Sequence, residues 1–432
     1  MSGGLLYSPA RVALLGIAIW IVIRFVAPVE AVVPLDGAAM LYIFLCYAAF
    51  LIGCALPRAS AHPHRVPSCT LSAQQPPFQP KLFWFATAAG LGGMAARLYD
   101  RVGLRGVDYT LSSAEIRDQL LNSTISPFSL LGAVLLAFCY LPLILQLGAK
   151  NTLRRPLTLT VAVIVFSLPA LESLGQLSRS VLITSFILAF CAVVCLKFGG
   201  HVLDRRVLLP ALAGVVGLSL LSTSIFEKRL SDSERVLADS VVESVYAEGV
   251  RPTLEAQRGL VSGNTVEATY YAAVVPNSMY YLSGVYEFSQ LYTRPDTQQF
   301  AWGGLTFATY VRAISALVGS NTDYVDQPYL WKIGVFTSFF GNWWVDFGWA
   351  GPVLLIVLGF LCSRLAFAAS TGLLNLMPLY LFSICVILLM PVSNTIVDGN
   401  GFFIMHAFGL FALFTGIRQI PDDNSRFGQS NE

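Results

Sequence analysis

The chain has 432 residues, of which 55% are hydrophobic and only 12% are charged, and its mean hydropathy is +0.66. A soluble globular domain carries about 25% charged residues, so this chain has too little polar surface to cover several soluble domains. The composition also excludes a disordered chain, a disulfide scaffold and a nucleic-acid-binding protein. It predicts a polytopic membrane protein, and the net charge of +2 indicates nothing about partners.

Ten apolar stretches are about as long as a bilayer span, which takes roughly 20 residues. They lie near 11–27, 37–56, 82–97, 128–148, 157–172, 180–197, 207–226, 339–362, 374–392 and 402–418. Lysine and arginine concentrate in one alternate set of short connections, at 57–81, 149–156 and 198–206. Because short cytoplasmic loops are enriched in these residues, we expect both termini to be cytoplasmic.

This orientation divides the chain into four parts. They are the first seven transmembrane helices at 1–226, a large outer loop at 227–338, the last three transmembrane helices at 339–418 and a cytoplasmic tail at 419–432. The outer loop is far longer than an ordinary connection and is rich in tyrosine, so we expect it to be functional rather than a linker. The tyrosines indicate either an aromatic belt at the membrane interface or a surface that stacks on sugar rings.

The outer loop is expected to form helices that lie on the membrane surface and roof a cavity. Its expected elements are an amphipathic helix over 231–258, an apolar segment over 264–287 interrupted by Pro276, a turn at Trp302-Gly-Gly and a short helix over 305–318 that carries Arg312. In the first of these, Arg251 is expected to pair with Glu248 or Glu255.

Familiar nucleotide and metal motifs are absent from the sequence. There is no Gly-Lys-Ser/Thr phosphate loop, no Gly-x-Gly-x-x-Gly after a strand, no His-Glu-x-x-His, and no Asp-x-Asp in an outer loop. ATP and a divalent metal are therefore disfavoured, and we expect no cofactor.

Arginines on the outer side are the main positive signal, because arginine binds phosphate in a bidentate manner and stays charged beside lipid. Arg179 lies in a very short hairpin between two spans, with Glu172 on the other side of that hairpin. The position suits a lipid-linked pyrophosphate, and the alternative is an interfacial arginine paired with Glu172. Arg101, Arg105 and Arg117 are further candidates, with a solvated surface as the alternative. Arg258 precedes Gly259 at a helix end and is less well explained by ion pairing than Arg251.

Two further residues stand out at the outer ends of spans. Asp346 lies in an otherwise apolar segment, where an ionisable group is costly and usually functional. It is a candidate general base or positions a substrate hydroxyl, and the alternative is a cap or ion pair that orders the start of the span. His406 is the only histidine placed toward the outer end of a span.

The region from Tyr281 to Pro352 resembles the Wzy-type oligosaccharide repeat-unit polymerases of bacterial envelopes. The matching pieces are Tyr281-Leu-Ser-Gly284 with Phe288, Gly303-Gly-Leu-Thr-Phe307, Gly334-Val-Phe-Thr, and Gly341 through Asp346-Phe-Gly to Gly351. The hairpin Ser178-Arg-Ser180 and the stretch Asp100-Arg-Val-Gly-Leu-Arg105 with Ile116-Arg117 look similar too.

The resemblance implies an all-α, GT-C-like membrane fold of about ten transmembrane helices and a metal-independent glycosyltransferase. Such an enzyme joins undecaprenyl-pyrophosphate-linked repeat units on the periplasmic face of the bacterial inner membrane, and makes O-antigen or exopolysaccharide. It takes the lipid-linked oligosaccharide as donor and as acceptor, in the lipid bilayer, and would work beside a chain-length regulator and a flippase.

Roles for the candidate residues follow from this reaction. Arg179, Arg258, Arg101 and Arg312 would stabilise the departing pyrophosphate. Asp346, Glu172 or His406 would deprotonate or orient the acceptor hydroxyl. The sugars would be held by aromatic residues, for which we select Tyr281, Trp302, Trp343 and Trp344.

Three rival functions stay open. An O-antigen ligase would share the fold and the donor but would move finished polymer onto the lipid A core. A flippase or transporter of the same lipid-linked sugars usually shows internal repeats with broken helices, and this sequence shows no repeat. The third is a non-catalytic scaffold of the assembly complex.

Overall fold

A computed structural model describes most of the chain. The described residues are 4–60, 78–108, 111, 115–116, 119, 126–150, 155–175, 179–202, 204–231, 241, 244–262, 264–294, 301–308, 310, 337–371, 373–397 and 400–417.

The described part is almost entirely helical. Its helices and strands are, in chain order, α1 (Pro9–Val26), β1 (Val29–Ala31), α2 (Gly37–Ser60), α3 (Pro80–Leu98), α4 (Pro127–Leu136), α5 (Leu141–Gly148), α6 (Pro156–Gly175), α7 (Ser180–Phe198), α8 (Arg205–Ser231), β2 (Val250–Pro252), α9 (Leu254–Leu260), α10 (Thr265–Tyr292), α11 (Ser338–Phe347), α12 (Gly351–Ser370), α13 (Met377–Leu389) and α14 (Gly401–Ile417). Short 3-10 turns occur at Leu5–Tyr7, Ala137–Tyr140, Val245–Glu248 and Gly348–Ala350, and a π-helical turn at Tyr99–Leu104 extends α3.

Seven stretches of helix in the described part are long and apolar enough to cross a membrane. They are α1, the first 20 residues of α2, α4 with α5, α6, α7, most of α8, and α11 with α12. The helices α13 and α14 are apolar but shorter. Each of these stretches coincides with a predicted span, so a multi-pass α-helical membrane protein is confirmed. The helix α3 coincides with the predicted span near 82–97 but falls outside the seven, and the number ten and the GT-C-like arrangement stay predictions.

Proline residues mark where many of these helices begin. A proline stands in the first turn of α1, α3, α4, α12 and α13, at Pro9, Pro80, Pro127, Pro352 and Pro378. Proline suits this position because the first amide groups of a helix have no partner within the helix. The same rule explains why the predicted span 339–362 is two helices, since Pro352 opens α12 after the 3-10 turn that ends α11.

The structure agrees with the predicted all-α class, since the described residues contain one short strand pair beside the helices. It corrects the prediction that 231–258 is one helix. Residues 250–252 form β2, which pairs antiparallel with β1 in the connection between the first two helices. Glu30 faces Arg251 in this register, and their Oε1 and Nε atoms lie 2.7 Å apart. Arg251 therefore pairs with Glu30 rather than with Glu248 or Glu255. Pro252 also disfavours a continuous helix at this position, because proline has no amide hydrogen for a helix interior.

The prediction that Pro276 interrupts the Tyr-rich segment is wrong. Pro276 lies buried inside the continuous helix α10. Proline leaves the carbonyl four residues earlier without its helical donor. In this chain that carbonyl belongs to Ala272, and it accepts a hydrogen bond of 3.3 Å from the hydroxyl of Thr223 on α8. A neighbouring helix thus satisfies the freed group, which is how prolines are tolerated inside membrane-protein helices.

The second half of α10 belongs to the core rather than to a surface roof. Its Tyr286 hydroxyl accepts a hydrogen bond from Arg24 of α1, and the ring of Phe288 packs against Tyr42 of α2 with centroids 5.8 Å apart. The hydroxyl of Ser289 accepts from the amide of Asp36 at 2.7 Å. This half of α10 is therefore inserted between the helices at one end of the bundle.

Two glycines bring α2 and α12 into close contact. A side chain at Gly53 would overlap the carbonyl of Ile356, and one at Gly359 would overlap the carbonyl of Phe50. Small residues drive helix association in membranes, because they let the backbones approach closely. This contact positions the start of α12 and with it the preceding helix α11.

We expect Gly359→Ala to destabilise the protein by about 1–3 kcal/mol, because the added methyl group has no space against the α2 backbone. The measurement is the thermal unfolding midpoint of the purified protein in detergent. Gly409→Ala in α14 is the matched control, since a methyl group there would meet nothing within 4 Å. Equal midpoints for the two variants would contradict the proposed helix contact.

Candidate functional site

One end of the bundle carries the start of α7 with Arg179, the end of α13 and the middle of α10 with Tyr281. We call this region the site end. At Gly284 of α10, a side chain would overlap the carbonyl of Val392, just after α13, so only glycine allows this approach. Packing thus accounts for the glycine of the Tyr281-Leu-Ser-Gly284 segment.

Arg179 is buried at the site end, with 7% of its surface exposed. Its guanidinium carbon lies 4.9 Å from the centroid of the Tyr280 ring, which is a cation–π contact. Its Nη1 atom lies 3.4 Å from the hydroxyl of Ser222, which in turn donates to Asn277 Oδ1 at 2.8 Å. The side chain therefore joins the start of α7 to α8 and α10.

Arg179 also borders a small cleft that is open to solvent. The other lining residues come from the long loop and α10, and they are Val241, Ser244, Tyr246, Pro276 and Met279. A second small cleft adjoins Tyr280. A fixed guanidinium at the wall of a cleft is placed to bind an anion, because its planar donors are already oriented.

Glu172 and Arg101 belong to a second cluster, which is a buried ion-pair network. Glu172 Oε1 lies 2.7 Å from Arg97 Nε and is also paired with Arg101. Next to them Arg105 Nε lies 2.9 Å from Asp100 Oδ2. The three arginines recur every four residues, through α3 and its π-helical turn, and so share one helix face.

These contacts show how the network is balanced. The side chain of Glu172 is 3% exposed, and two guanidinium groups compensate its charge. Asp100 also accepts a hydrogen bond from the hydroxyl of Ser126. Buried charges need such partners, so a structural role accounts for Glu172 and Arg101. Their predicted roles as base and pyrophosphate ligand stay predictions.

Asp346 is fully buried and holds a turn of the long loop. Its carboxylate accepts hydrogen bonds from the amides of Leu305 and Thr306, at 2.9 and 2.7 Å, and from the Thr306 hydroxyl. The amide of Ala301 donates to the Val345 carbonyl at 2.8 Å. The predicted turn at Trp302-Gly-Gly is thus present and is bound to α11 by the carboxylate.

Trp302 is the exposed aromatic residue of this turn. Its φ angle is +49°, in the left-handed region that non-glycine residues rarely adopt, and 78% of its surface is exposed. Such strained residues persist only where surrounding contacts hold them, and they cluster at binding sites. Here the Asp346 hydrogen bonds provide those contacts.

We expect Asp346→Ala to destabilise the protein by about 2–4 kcal/mol, because it leaves the amides of Leu305 and Thr306 and the Thr306 hydroxyl without their carboxylate acceptor. Asp346→Asn should lose less stability, since its amide oxygen can still accept hydrogen bonds. The measurement is thermal unfolding together with limited proteolysis at the 301–307 turn. A fully stable, protease-resistant Asp346→Ala protein would show that the carboxylate does not hold the turn.

His406 lies in the first half of α14 and contacts the long loop. Its Nδ1 atom is 2.6 Å from the Phe402 carbonyl, and its Nε2 atom is hydrogen-bonded to the Tyr310 hydroxyl. A carbonyl can only accept, so Nδ1 is the donor in the first contact. The Nε2 atom faces the hydroxyl of a partly exposed tyrosine.

The remaining predicted sugar-binding residues are less exposed than Trp302. Trp343 is buried and donates from Nε1 to the Gly351 carbonyl at 2.9 Å. Trp344 is buried against Tyr42, with centroids 4.9 Å apart. Tyr281 is half-buried, and burial raises the pKa of its phenol, so it remains a hydrogen-bond donor at neutral pH.

Arg258 is exposed in the last turn of the short helix α9. None of the ion pairs seen among the described residues includes it. Arg312, with most of the predicted helix 305–318, lies outside the described residues, as does Arg117.

The contacts therefore sort the predicted residues into three groups. In the first group Arg179 lies with Tyr280, and in the second Arg101 pairs with Glu172. In the third Asp346 holds the Trp302 turn, and His406 contacts Tyr310 of the same loop.

Sequence reasoning missed Glu287, which is fully buried in α10. The available signal was the one applied to Asp346, namely an ionisable residue within an apolar segment.

The fold defines the class of this chain as an α-helical multi-pass membrane protein. Comparisons of the chain with protein-family models, with curated proteins and with solved structures found no match.

Proposed function

We propose that this chain is a membrane glycosyltransferase that polymerises undecaprenyl-pyrophosphate-linked oligosaccharide repeat units on the periplasmic face of a bacterial inner membrane. The observation that carries the proposal is the burial of Arg179 at the wall of a cleft, against the ring of Tyr280. A cationic side chain fixed at the end of a span suits the pyrophosphate of a lipid-linked donor, whose prenyl chain lies in the bilayer.

In the proposed reaction, the acceptor hydroxyl attacks the anomeric carbon of the donor sugar. The new glycosidic bond forms as the bond from that carbon to the pyrophosphate oxygen breaks, and undecaprenyl pyrophosphate leaves with the bonding electrons. Arg179 stabilises the negative charge that develops on the leaving oxygen, which is the role of a fixed electrostatic group in catalysis.

Among the three candidate bases, the contacts favour His406 for accepting the proton of the acceptor hydroxyl. Its Nε2 atom lies beside Tyr310, which has 43% of its surface exposed. The carboxylates of Glu172 and Asp346 are buried and engaged in the contacts described above. Arg258, on exposed helix surface, provides a second cation for the pyrophosphate of an incoming unit.

The exposed Trp302 is assigned to the sugars of the lipid-linked chain, because an indole face packs on the C–H face of a pyranose ring. The half-buried Tyr281 is assigned to hydrogen bonding with sugar hydroxyls. The buried Trp343 and Trp344 support this surface through α11 and do not line it.

Deletion of the gene in its host tests the function and separates it from that of a ligase. Loss of a polymerase leaves single repeat units attached to the final acceptor, whereas loss of a ligase leaves polymer on the carrier lipid. A deletion strain that accumulates unflipped repeat units on the cytoplasmic side would instead support a flippase. The measurement is electrophoresis of the surface polysaccharide and of the extracted carrier lipid.

A further inference from the structure

A hydroxyl-lined cleft lies beside Tyr280, between the start of α7 and the residues that follow α13. Its hydroxyl-bearing residues are Ser180, Thr184, Tyr280, Ser393 and Thr395. The rest of the wall is aliphatic. Alternating hydroxyl and aliphatic groups match a sugar, whose hydroxyls donate and accept while its C–H faces are apolar.

Thr395 is the residue that points to a ligand. It is 3% exposed and lines the cleft, and within the described part of the chain its Oγ1 atom has no hydrogen-bond partner. A buried hydroxyl without a partner is unfavourable, because it gives up its hydrogen bonds to water. A ligand hydroxyl in the cleft would supply the missing bond.

The start of α7 forms part of the same wall. Ser180 is its first residue. The start of a helix carries partial positive charge, which favours an electron-rich oxygen nearby. Tyr280 connects this cleft with the anion-binding position, since its ring packs on the Arg179 guanidinium.

We infer that this cleft binds the sugar that is linked directly to the lipid pyrophosphate. The inference rests on the proposed function of Arg179 as the pyrophosphate ligand. With the pyrophosphate at Arg179, the sugar attached to it reaches past Tyr280 into the cleft, and Thr395 bonds one of its hydroxyls. The cleft thereby selects the first sugar of the repeat unit and orients its anomeric carbon.

Thr395→Val is the sharpest test, because valine keeps the shape of threonine and removes the hydroxyl. The variant protein should unfold at the same temperature as the wild type or higher, since a buried unpartnered hydroxyl is removed. It should bind the lipid-linked repeat unit about tenfold more weakly, as expected for the loss of one buried hydrogen bond. Its affinity for undecaprenyl pyrophosphate, which has no sugar, should not change.

The affinities are measured with the full-length protein in nanodiscs, by thermophoresis, using undecaprenyl pyrophosphate and the host's own lipid-linked repeat unit as probes. Thr87→Val is the matched control, because Thr87 is equally buried but its hydroxyl donates to the Phe83 carbonyl in α3. Neither affinity should change in the control. Ser393→Ala, in the same cleft as Thr395, should also lower the affinity for the lipid-linked repeat unit and leave that for undecaprenyl pyrophosphate unchanged.

Two contrary results are distinguishable. Wild-type affinity for the lipid-linked repeat unit in both Thr395→Val and Ser393→Ala would overturn the inference and leave the proposed function standing. If the wild-type protein bound neither lipid, the proposed function would fail and the inference with it. A large drop in the unfolding temperature of Thr395→Val would also count against the inference, since it would mean that the hydroxyl is used within the fold.

Discussion

Membranes that contain Arg179→Ala protein are expected to form polymer at least about 100-fold more slowly than wild-type membranes. Removing one group that stabilises transition-state charge typically lowers the rate by about 10²–10³. The rate with Arg179→Lys should lie between those of Arg179→Ala and the wild type. Lysine keeps the charge but lacks the planar donors and stacks less well on Tyr280. The measurement is the initial rate of lengthening of labelled lipid-linked repeat units.

Arg251→Ala is the matched control, because it also removes an arginine at the long loop. Its partner is Glu30, and both side chains are about half exposed, at 54% and 45%. We expect wild-type polymer length and yield from this variant. If Arg179→Ala membranes made polymer of normal length and yield, the assignment of Arg179 to the pyrophosphate would be wrong.

Glu172→Gln is expected to lower the free energy of unfolding by about 3–5 kcal/mol. The change leaves the guanidinium groups of Arg97 and Arg101 buried without their shared counter-charge, which is far more costly than losing an exposed pair. The measurement is thermal unfolding of the purified protein in detergent, at low and high salt. Because the network is buried, added salt should change the loss only slightly.

Glu30→Gln provides the comparison, since it breaks the exposed pair with Arg251. The expected loss there is about 0–1 kcal/mol, and it should shrink further at high salt. Equal losses for Glu172→Gln and Glu30→Gln would refute the buried network. A stable Glu172→Gln protein without polymerase activity would instead favour a catalytic role for this carboxylate.

The transmembrane helices could be predicted well because the bilayer imposes a length and a composition on each of them. The run of apolar residues that makes α7 is visible in the sequence without any knowledge of its neighbours. The strand β2 could not be foreseen, because its pairing with β1 joins residues more than 200 positions apart. The continuity of α10 through Pro276 depends likewise on a hydroxyl from another helix, that of Thr223.

The candidate site was predictable by residue type but not by partner. Asp346 and Glu172 stand out because ionisable groups are rare in apolar segments. Whether such a group meets a substrate, a turn or an arginine depends on tertiary contacts, here with Thr306 for Asp346 and with Arg97 for Glu172. The same dependence explains why Thr395, an ordinary threonine in the sequence, became a candidate only once its surroundings were known.

Reconstitution of the purified protein with lipid-linked repeat units is the most direct test of the central claim. The protein is placed in liposomes without nucleotide, divalent metal or an ion gradient, and the products are separated by length. We predict a ladder of lipid-linked oligomers from the wild-type protein and none from Arg179→Ala. Absence of a ladder from folded wild-type protein that binds the repeat unit would contradict the assignment as a polymerase.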